Sequence, residues 1–233
     1  MRNRPILVLI LLVVFALGLA AYSSRVHPGG DLPPEDQPDT TQLTPPAPSA
    51  QSSKLPIAQQ EQLFSKYEPT AIHATLQVEG LAPIEIELYP KAAPKTVAHF
   101  VKLCKEGFYN GILFHRVIPN FVAQAGDPAS KKIDGRKLRG LTDQQVAMKY
   151  LLGAGGSGQT VPFEGNDLTN LPGTIALALS APRTDTGDSQ FFINLVDNKQ
   201  LDGDYCVFGR VVQGMDQVKK IQQGDRIQSI VIH

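Results

Sequence analysis

The sequence predicts a mainly β fold: a closed eight-stranded antiparallel barrel capped by two α-helices. It also predicts an inserted loop-helix and a disordered N-terminal tether. Three observations carry this. Short stretches alternating apolar and polar residues recur from residue 72 onward, separated by turn signals. Only two longer stretches of that region, outside the insertion, repeat apolar residues at helical spacing. Eight antiparallel strands close into a barrel just wide enough for side chains to fill it. The charge balance, 22 Lys and Arg against 22 Asp and Glu, argues against a nucleic-acid binder, which usually carries a basic excess.

The N-terminal end has a different composition. Arg2 and Arg4 precede an unbroken apolar run from Ile6 to Ala21. Basic, then apolar, then small residues is the order of an export signal. Gly18-Leu19-Ala20 and Ala21-Tyr22-Ser23 both suit cleavage. As a helix the run spans about 24 Å, short of the ~30 Å hydrocarbon core. Residues 1–22 therefore read as a signal peptide or a membrane anchor, with both readings open. Either way the protein is expected outside the cytoplasm, in the periplasm or another extracytoplasmic compartment. It would be soluble after cleavage or anchored by residues 6–21, with membrane contact only through the N-terminus. Residues 23–58 hold eight of the 18 prolines and almost no large apolar residues. Such a segment cannot bury enough surface to offset its ordering entropy and reads as a linker.

The folded domain is placed at 68–233, with Gln59–Tyr67 a short helix leading in. Ile72–Val78 and Ile84–Leu88 alternate around Glu79-Gly80 and Pro83 and read as a hairpin. Pro94 opens a helix at its first turn, where a missing N–H costs nothing, and Gly107 ends it. Thr174–Leu179, Gln190–Leu195, Cys206–Val211 and Ile227–Ile232 are further strands. Val212–Gln222 is a second helix with Val218 and Ile221 inward. Cys104 and Cys206 are too few for a disulfide framework and are expected as unpaired, partly buried thiols.

The central hairpin, FHRVIPNFVAQAGD at Phe114–Asp127, organises the rest. Phe114, Arg116 and Ile118 fall on one face by the two-residue period, and Pro119-Asn120 marks a turn. A three-residue turn sets Arg116 opposite Gln124, whereas a two-residue turn sets it opposite Ala123. An Arg among large apolar residues either packs its stem on the sheet with its head in water or serves chemistry.

This hairpin, with PKTVAHFVKLCKEGFYNG at Pro94–Gly111, GTIALA at Gly173–Ala178, SQFFINL at Ser189–Leu195 and LDGDYCVFGR at Leu201–Arg210, resembles the cyclophilin family of peptidyl-prolyl cis-trans isomerases. The resemblance runs from about Ile72 to the C-terminus. It implies a barrel with a helix at each end, an active site on the outer face, and proline-containing polypeptides as clients. It implies Arg116 as the catalytic arginine, Gln124 orienting it and bonding the substrate backbone, and Phe121, Val122, Phe192 and Leu201 as the proline pocket. Ile118 adjoins the pocket, Tyr205 lies at its rim, and Ala178 and Gln190 match backbone-contacting positions. Gln200 stands where many members carry Trp, which implies weak binding of cyclosporin, the cyclic peptide that members bind in this pocket. The protein is expected to act as a monomer and to need no cofactor or metal.

Residues 129–152 depart from the family pattern by about twenty extra residues. Lys131, Lys132, Arg136, Lys137, Arg139 and Lys149 outnumber Asp134 and Asp143, and Thr142–Gln145 is a capping box ahead of Val146, Tyr150 and Leu151. The insertion therefore reads as a basic loop and short helix, stopped at Gly153, away from the catalytic hairpin. It is expected to be a solvated decoration or a docking surface. GAGGSG at Gly153–Gly158 matches a nucleotide-binding pattern but lacks the strand before and the helix after that this pattern needs. It resembles instead the family's glycine-rich loop beside the active face. The five histidines have no metal-ligand spacing. His115 faces away from Arg116 and reads as structural, and Ser189 has no assignable base. The remaining readings are a binding or assembly module that docks through the pocket and insertion, and a purely structural anchored protein.

Overall fold

A computed structural model describes Gln62 and residues 64–233. The signal or anchor at 1–22, the linker at 23–58 and residues 59–61 and 63 of the leading helix lie outside the described residues. Strands β1 (Ile72–Val78) and β2 (Ile84–Leu88) form the expected hairpin, with Ala74 paired to Ile86 and Leu76 to Ile84. Ala74, Leu76, Val78, Ile84, Ile86 and Leu88 are all buried. One hairpin face thus supplies barrel core, as period-two alternation requires.

Helix α1 (Pro94–Lys105) follows, with proline in its first turn. It ends in paired main-chain bonds, Phe108 N–H to Leu103 O and Gly107 N–H to Cys104 O. Gly107 sits at φ +66°, the left-handed conformation this helix stop needs. Val97, Phe100, Leu103 and Cys104 are buried. Phe100 meets Phe191 edge-on at 5.5 Å and lies 5.1 Å from Phe208. Cys104 and Cys206 are free and buried, and burial pushes the Cys206 thiol up to about 12.

The remaining strands are β3 (Arg116–Val117), β4 (Val122–Ala125), β5 (Thr174–Leu177), β6 (Phe191–Asn194), β7 (Val207–Gln213) and β8 (Ile227–Ile232). They form one antiparallel sheet of eight strands in the order β3-β4-β6-β5-β7-β2-β1-β8. The sheet curls until the segment ahead of β3 meets the start of β8. There Gly111 N–H bonds Ile227 O, Ile227 N–H bonds Ile112 O, and Phe114 N–H bonds Asp225 O. Closure is by these few bonds rather than by a β3–β8 ladder.

Three expectations change. The second helix is one turn, α3 (Met215–Val218), because β7 runs on to Gln213 and Gly214, at φ +93°, makes the corner. Val218 and Ile221 are nevertheless buried. Alternation in the central hairpin starts only at Arg116, so Phe114 belongs to the main core instead of sharing the Arg116 surface. The insertion helix, α2 (Asp143–Tyr150), is stopped at Leu151, in the left-handed region at φ +55°, two residues before Gly153.

His115 is 2 % exposed. Burial, with Arg116 beside it, lowers its pKa from 6.5 to about 4, against the opposite pull of Asp127 and Asp143. The folded protein therefore binds this proton less readily than the unfolded chain. The stabilisation is full above pH 6.5 and is lost as pH falls from there towards 4, by up to about 1.4 kcal/mol per pH unit. Chemical denaturation of wild type and His115→Leu across that window should show a shallower acid loss in the variant. Parallel pH profiles would remove His115 from the acid response.

Candidate active site

The site forms on the outer face of β3, β4 and β6. The hairpin turn decides its register. Phe121 N–H bonds Ile118 O, and Asn120 takes φ +59°, a conformation that Asn tolerates better than most residues. Ile118 N–H then bonds Val122 O, and Arg116 lies opposite Gln124. This is the three-residue-turn register. β6 continues the surface by pairing Gln124 with Phe192.

A chain of polar contacts crosses this face. Arg116 Nη1 donates to Gln124 Oε1 at 3.3 Å, Gln124 Nε2 donates to Gln190 Oε1 at 3.0 Å, and Gln190 Nε2 donates to Gly155 O at 2.7 Å. The guanidinium also lies over the Phe121 ring, 5.7 Å from its centre. Arg116 stays 21 % exposed, so it is held yet accessible. Its Nη2 carries no hydrogen bond among the described residues.

Beside this cation lies an apolar wall. Val122 and Phe192 are buried, and Phe121 and Leu201 are partly buried against the main core. Tyr205 packs edge-on against Phe192 at 5.8 Å, and burial pushes its hydroxyl up to about 12, so it stays neutral. Ala178 N–H bonds Gln190 O and extends the ladder past β5. Gln200 stands apart: its side chain is exposed and donates to Asn198 Oδ1 at 3.2 Å.

The glycine-rich loop is fastened by two carboxylates. Asp127 accepts from Gly153 N–H at 2.7 Å and Gly155 N–H at 3.0 Å, and Asp188 accepts from Gly158 N–H at 2.9 Å and from Ser157 Oγ. A Cβ on Gly155 would lie 2.3 Å from Asp127 Oδ1, and one on Gly156 2.4 Å from Asp188 Oδ2. The glycines here admit the carboxylates. Among the described residues no group of His, Cys, Asp or Glu is arranged to hold a metal ion.

Several supporting residues had no signal in the sequence. Asn198 Nδ2 donates to Phe121 O at 3.0 Å and to Asn194 Oδ1 at 2.7 Å. Asn194 Nδ2 reaches Asn170 Oδ1 and Thr174 Oγ1, and Asn170 Nδ2 donates to Asp202 Oδ1. This buried amide network ties the pocket's Phe121 to the loop that carries Leu201. The insertion is corrected too. Asp143, at the start of α2, accepts from Arg116 Nε at 2.6 Å. The segment read as distant from the hairpin touches its central residue.

The family model of cyclophilin type peptidyl-prolyl cis-trans isomerases matches residues 73–232. The chain belongs to this family. It is 40% identical to peptidyl-prolyl cis-trans isomerase B of Bacillus subtilis over 149 residues, 63% of this chain and 88% of that protein. It is 39% identical to a Helicobacter pylori peptidyl-prolyl cis-trans isomerase over 150 residues, 64% and 79% of the two chains. A Cryptosporidium parvum cyclophilin type isomerase has the same fold, with TM-score 0.57 and 24% identity over 70% of this chain and 98% of that one. A second structure of that isomerase, solved in the presence of the dipeptide Ala-Pro, has TM-score 0.56 and 24% identity over 69% and 98%. The protein is thus a cyclophilin-type peptidyl-prolyl cis-trans isomerase.

Asn198 is the amide whose loss should matter most. Asn198→Ala takes the donor from the buried Asn194 Oδ1 and leaves the Phe121 carbonyl held by Leu195 N–H alone. It should lower unfolding free energy by about 1–3 kcal/mol in urea and raise KM for a Xaa-Pro peptide. An unchanged denaturation midpoint and KM would show that the network does not support the pocket.

Proposed function

We propose that this isomerase acts through Arg116, on exported proline-containing clients. Rotation about an Xaa-Pro bond breaks no covalent bond, yet it must cross the amide resonance barrier of about 18–20 kcal/mol. As the amide twists, the prolyl nitrogen regains a lone pair. A permanent donor that bonds the nitrogen in that state lowers the barrier selectively. A guanidinium keeps its proton at all relevant pH values. The observation that carries this reading is Arg116 itself, fixed on two sides by hydrogen bonds, with Nη2 uncommitted and apolar side chains next to it.

The other roles follow from position. Phe121, Val122, Phe192 and Leu201 take the proline ring, with Ile118 and Tyr205 at the edge of the pocket. Gln124 orients Arg116 and bonds the client backbone, while Ala178 and Gln190 offer further backbone contacts. The Ala-Pro dipeptide used with the Cryptosporidium protein is the kind of ligand such a pocket suits. One chain supplies every group named, which supports a monomer as the working form. The charged and apolar order of residues 1–22 supports export, with those residues as the sole membrane contact.

Arg116→Ala in the full-length chain should lower kcat/KM for a Xaa-Pro peptide at least about tenfold, a barrier change of about 1.4 kcal/mol, with the circular dichroism unchanged. Wild-type turnover in this variant would take Arg116 out of the mechanism. The full-length chain should also fractionate with membranes or the extracytoplasmic compartment, and recovery in the cytoplasm would end the export proposal. The exposed Gln200 replaces the large apolar face that Trp provides in many members. Losing a few tens of Å² of contact at about 25 cal/mol per Å², with the amide to desolvate, weakens cyclosporin. Gln200→Trp should tighten the drug at least about fivefold and alter peptide turnover much less. Nanomolar binding by the unmodified protein would show that Gln200 is not limiting.

A further inference from the structure

The insertion does more than decorate the barrel. Its first 3₁₀ turn begins where Asp127 accepts from Ala129 N–H at 2.9 Å, and the same carboxylate accepts from Gly153 N–H where the insertion ends. Between these points it is knitted to the body. Leu138, Val146 and Leu152 bury themselves against Leu113, which lies just ahead of β3. Gly135 meets Gly224 so closely that a Cβ on Gly135 would fall 1.9 Å from Gly224 O. Gln223 Nε2 donates to Leu138 O at 2.7 Å and Leu141 O at 2.9 Å, while its Oε1 accepts from Val117 N–H, the neighbour of Arg116. The basic side chains stay exposed, and two of them are anchored to the body: Arg139 pairs with Asp225 at 2.8 Å, and Lys131 lies over the Phe108 ring.

That frame presents one carboxylate. Asp143 is the first residue of α2, after a complete capping box made by Thr142 and Gln145. A carboxylate there is favoured by the helix dipole. Its Oδ2 accepts from Arg116 Nε at 2.6 Å, a short, charge-assisted bond. Gln124 holds Nη1 on another side. With two of its nitrogens taken, the guanidinium loses the rotational freedom that a long cationic side chain otherwise has. Pre-orientation of a group that acts only in the transition state appears in kcat.

We propose that Asp143 is a positioning residue for isomerisation, and that α2 is a working part of the active face. The proposal rests on the catalytic role of Arg116 given above. Asp143 does not touch the reacting amide: it holds Arg116 so that Nη2 faces the client without a search. Because Asp143 is 42 % exposed, solvent screens the pair and its effect is moderate.

The test uses the full-length chain with Asp143→Ala, Asp143→Asn and Asp143→Glu, each alone and with Arg116→Ala. Asp143→Ala should lower kcat/KM about fivefold, mainly in kcat. Asp143→Glu should restore more of the loss than Asp143→Asn, and Asp143→Ala should add nothing once Arg116 is gone. NMR supplies a readout independent of turnover. The Arg116 Nε–H should exchange slowly in wild type and quickly in Asp143→Ala. Fast exchange in wild type, or unchanged kcat in Asp143→Ala, would overturn the proposal, as would a rise in kcat, which would make Asp143 a restraint. Full activity in Arg116→Ala would instead overturn the mechanism on which it rests, and the exchange measurement would still decide whether Asp143 holds Arg116.

Discussion

The site depends on holding one permanent charge still on a surface that is otherwise apolar. A guanidinium beside phenyl rings is drawn towards water, and its flexible stem offers many ways to get there. The protein answers with hydrogen bonds from two directions and a ring beneath: Asp143 on Nε, Gln124 on Nη1, and Phe121 under the plane. The three contacts come from two local constraints. Gln124 is set by a turn that needs Asn120 at positive φ, Phe121 by that same turn, and Asp143 by a helix cap.

Those constraints join into one polar framework lying across the sheet. From Asp143 the contacts run through Arg116, Gln124 and Gln190 to the glycine-rich loop, and that loop is itself gripped by Asp127 and Asp188. Beneath the pocket a second set of amides, Asn170, Asn194 and Asn198, satisfies groups that would otherwise be buried without partners. Buried polar groups left unsatisfied are costly, so such a framework settles into one arrangement. The chemistry of an isomerase benefits, because nothing reacts covalently and all of the rate enhancement must come from geometry and charge.

Period-two alternation located β1 and β2 to the residue, since each has one face in the core and a more open face opposite; β8 lies where a strand was expected although its buried Ile227 and Ile230 are three residues apart. It failed where both faces are covered. Phe114 and His115 are both buried, so no alternation marks the point where β3 begins, and Phe114 went to the wrong surface. Val212 and Gln213 continue a strand although their spacing fits a helix, because Gly214 makes the corner that local pattern does not show. Arg116, Gln124, Phe121 and Phe192 were picked out by the resemblance of their motifs to the family, and the structure brings them together on one face. Asp143 was not: in sequence it is one acid within a basic stretch, and its role exists only because Leu138, Val146 and Leu152 find Leu113. The asparagine network was equally hidden, since isolated Asn residues read as turns until burial makes them structural.

Asp127 gives the insertion an architectural meaning of its own. One buried side chain receives the amide at the entrance, Ala129, and the amide at the exit, Gly153. The two ends of the excursion are thereby stapled together, whatever lies between them. Lengthening a loop whose ends are already held costs little further entropy. The barrel therefore has a socket at this point, where the chain leaves and returns within reach of one carboxylate. What fills the socket here reaches back to Arg116 through Asp143, so the excursion and the hairpin share one contact across the outer face of the sheet.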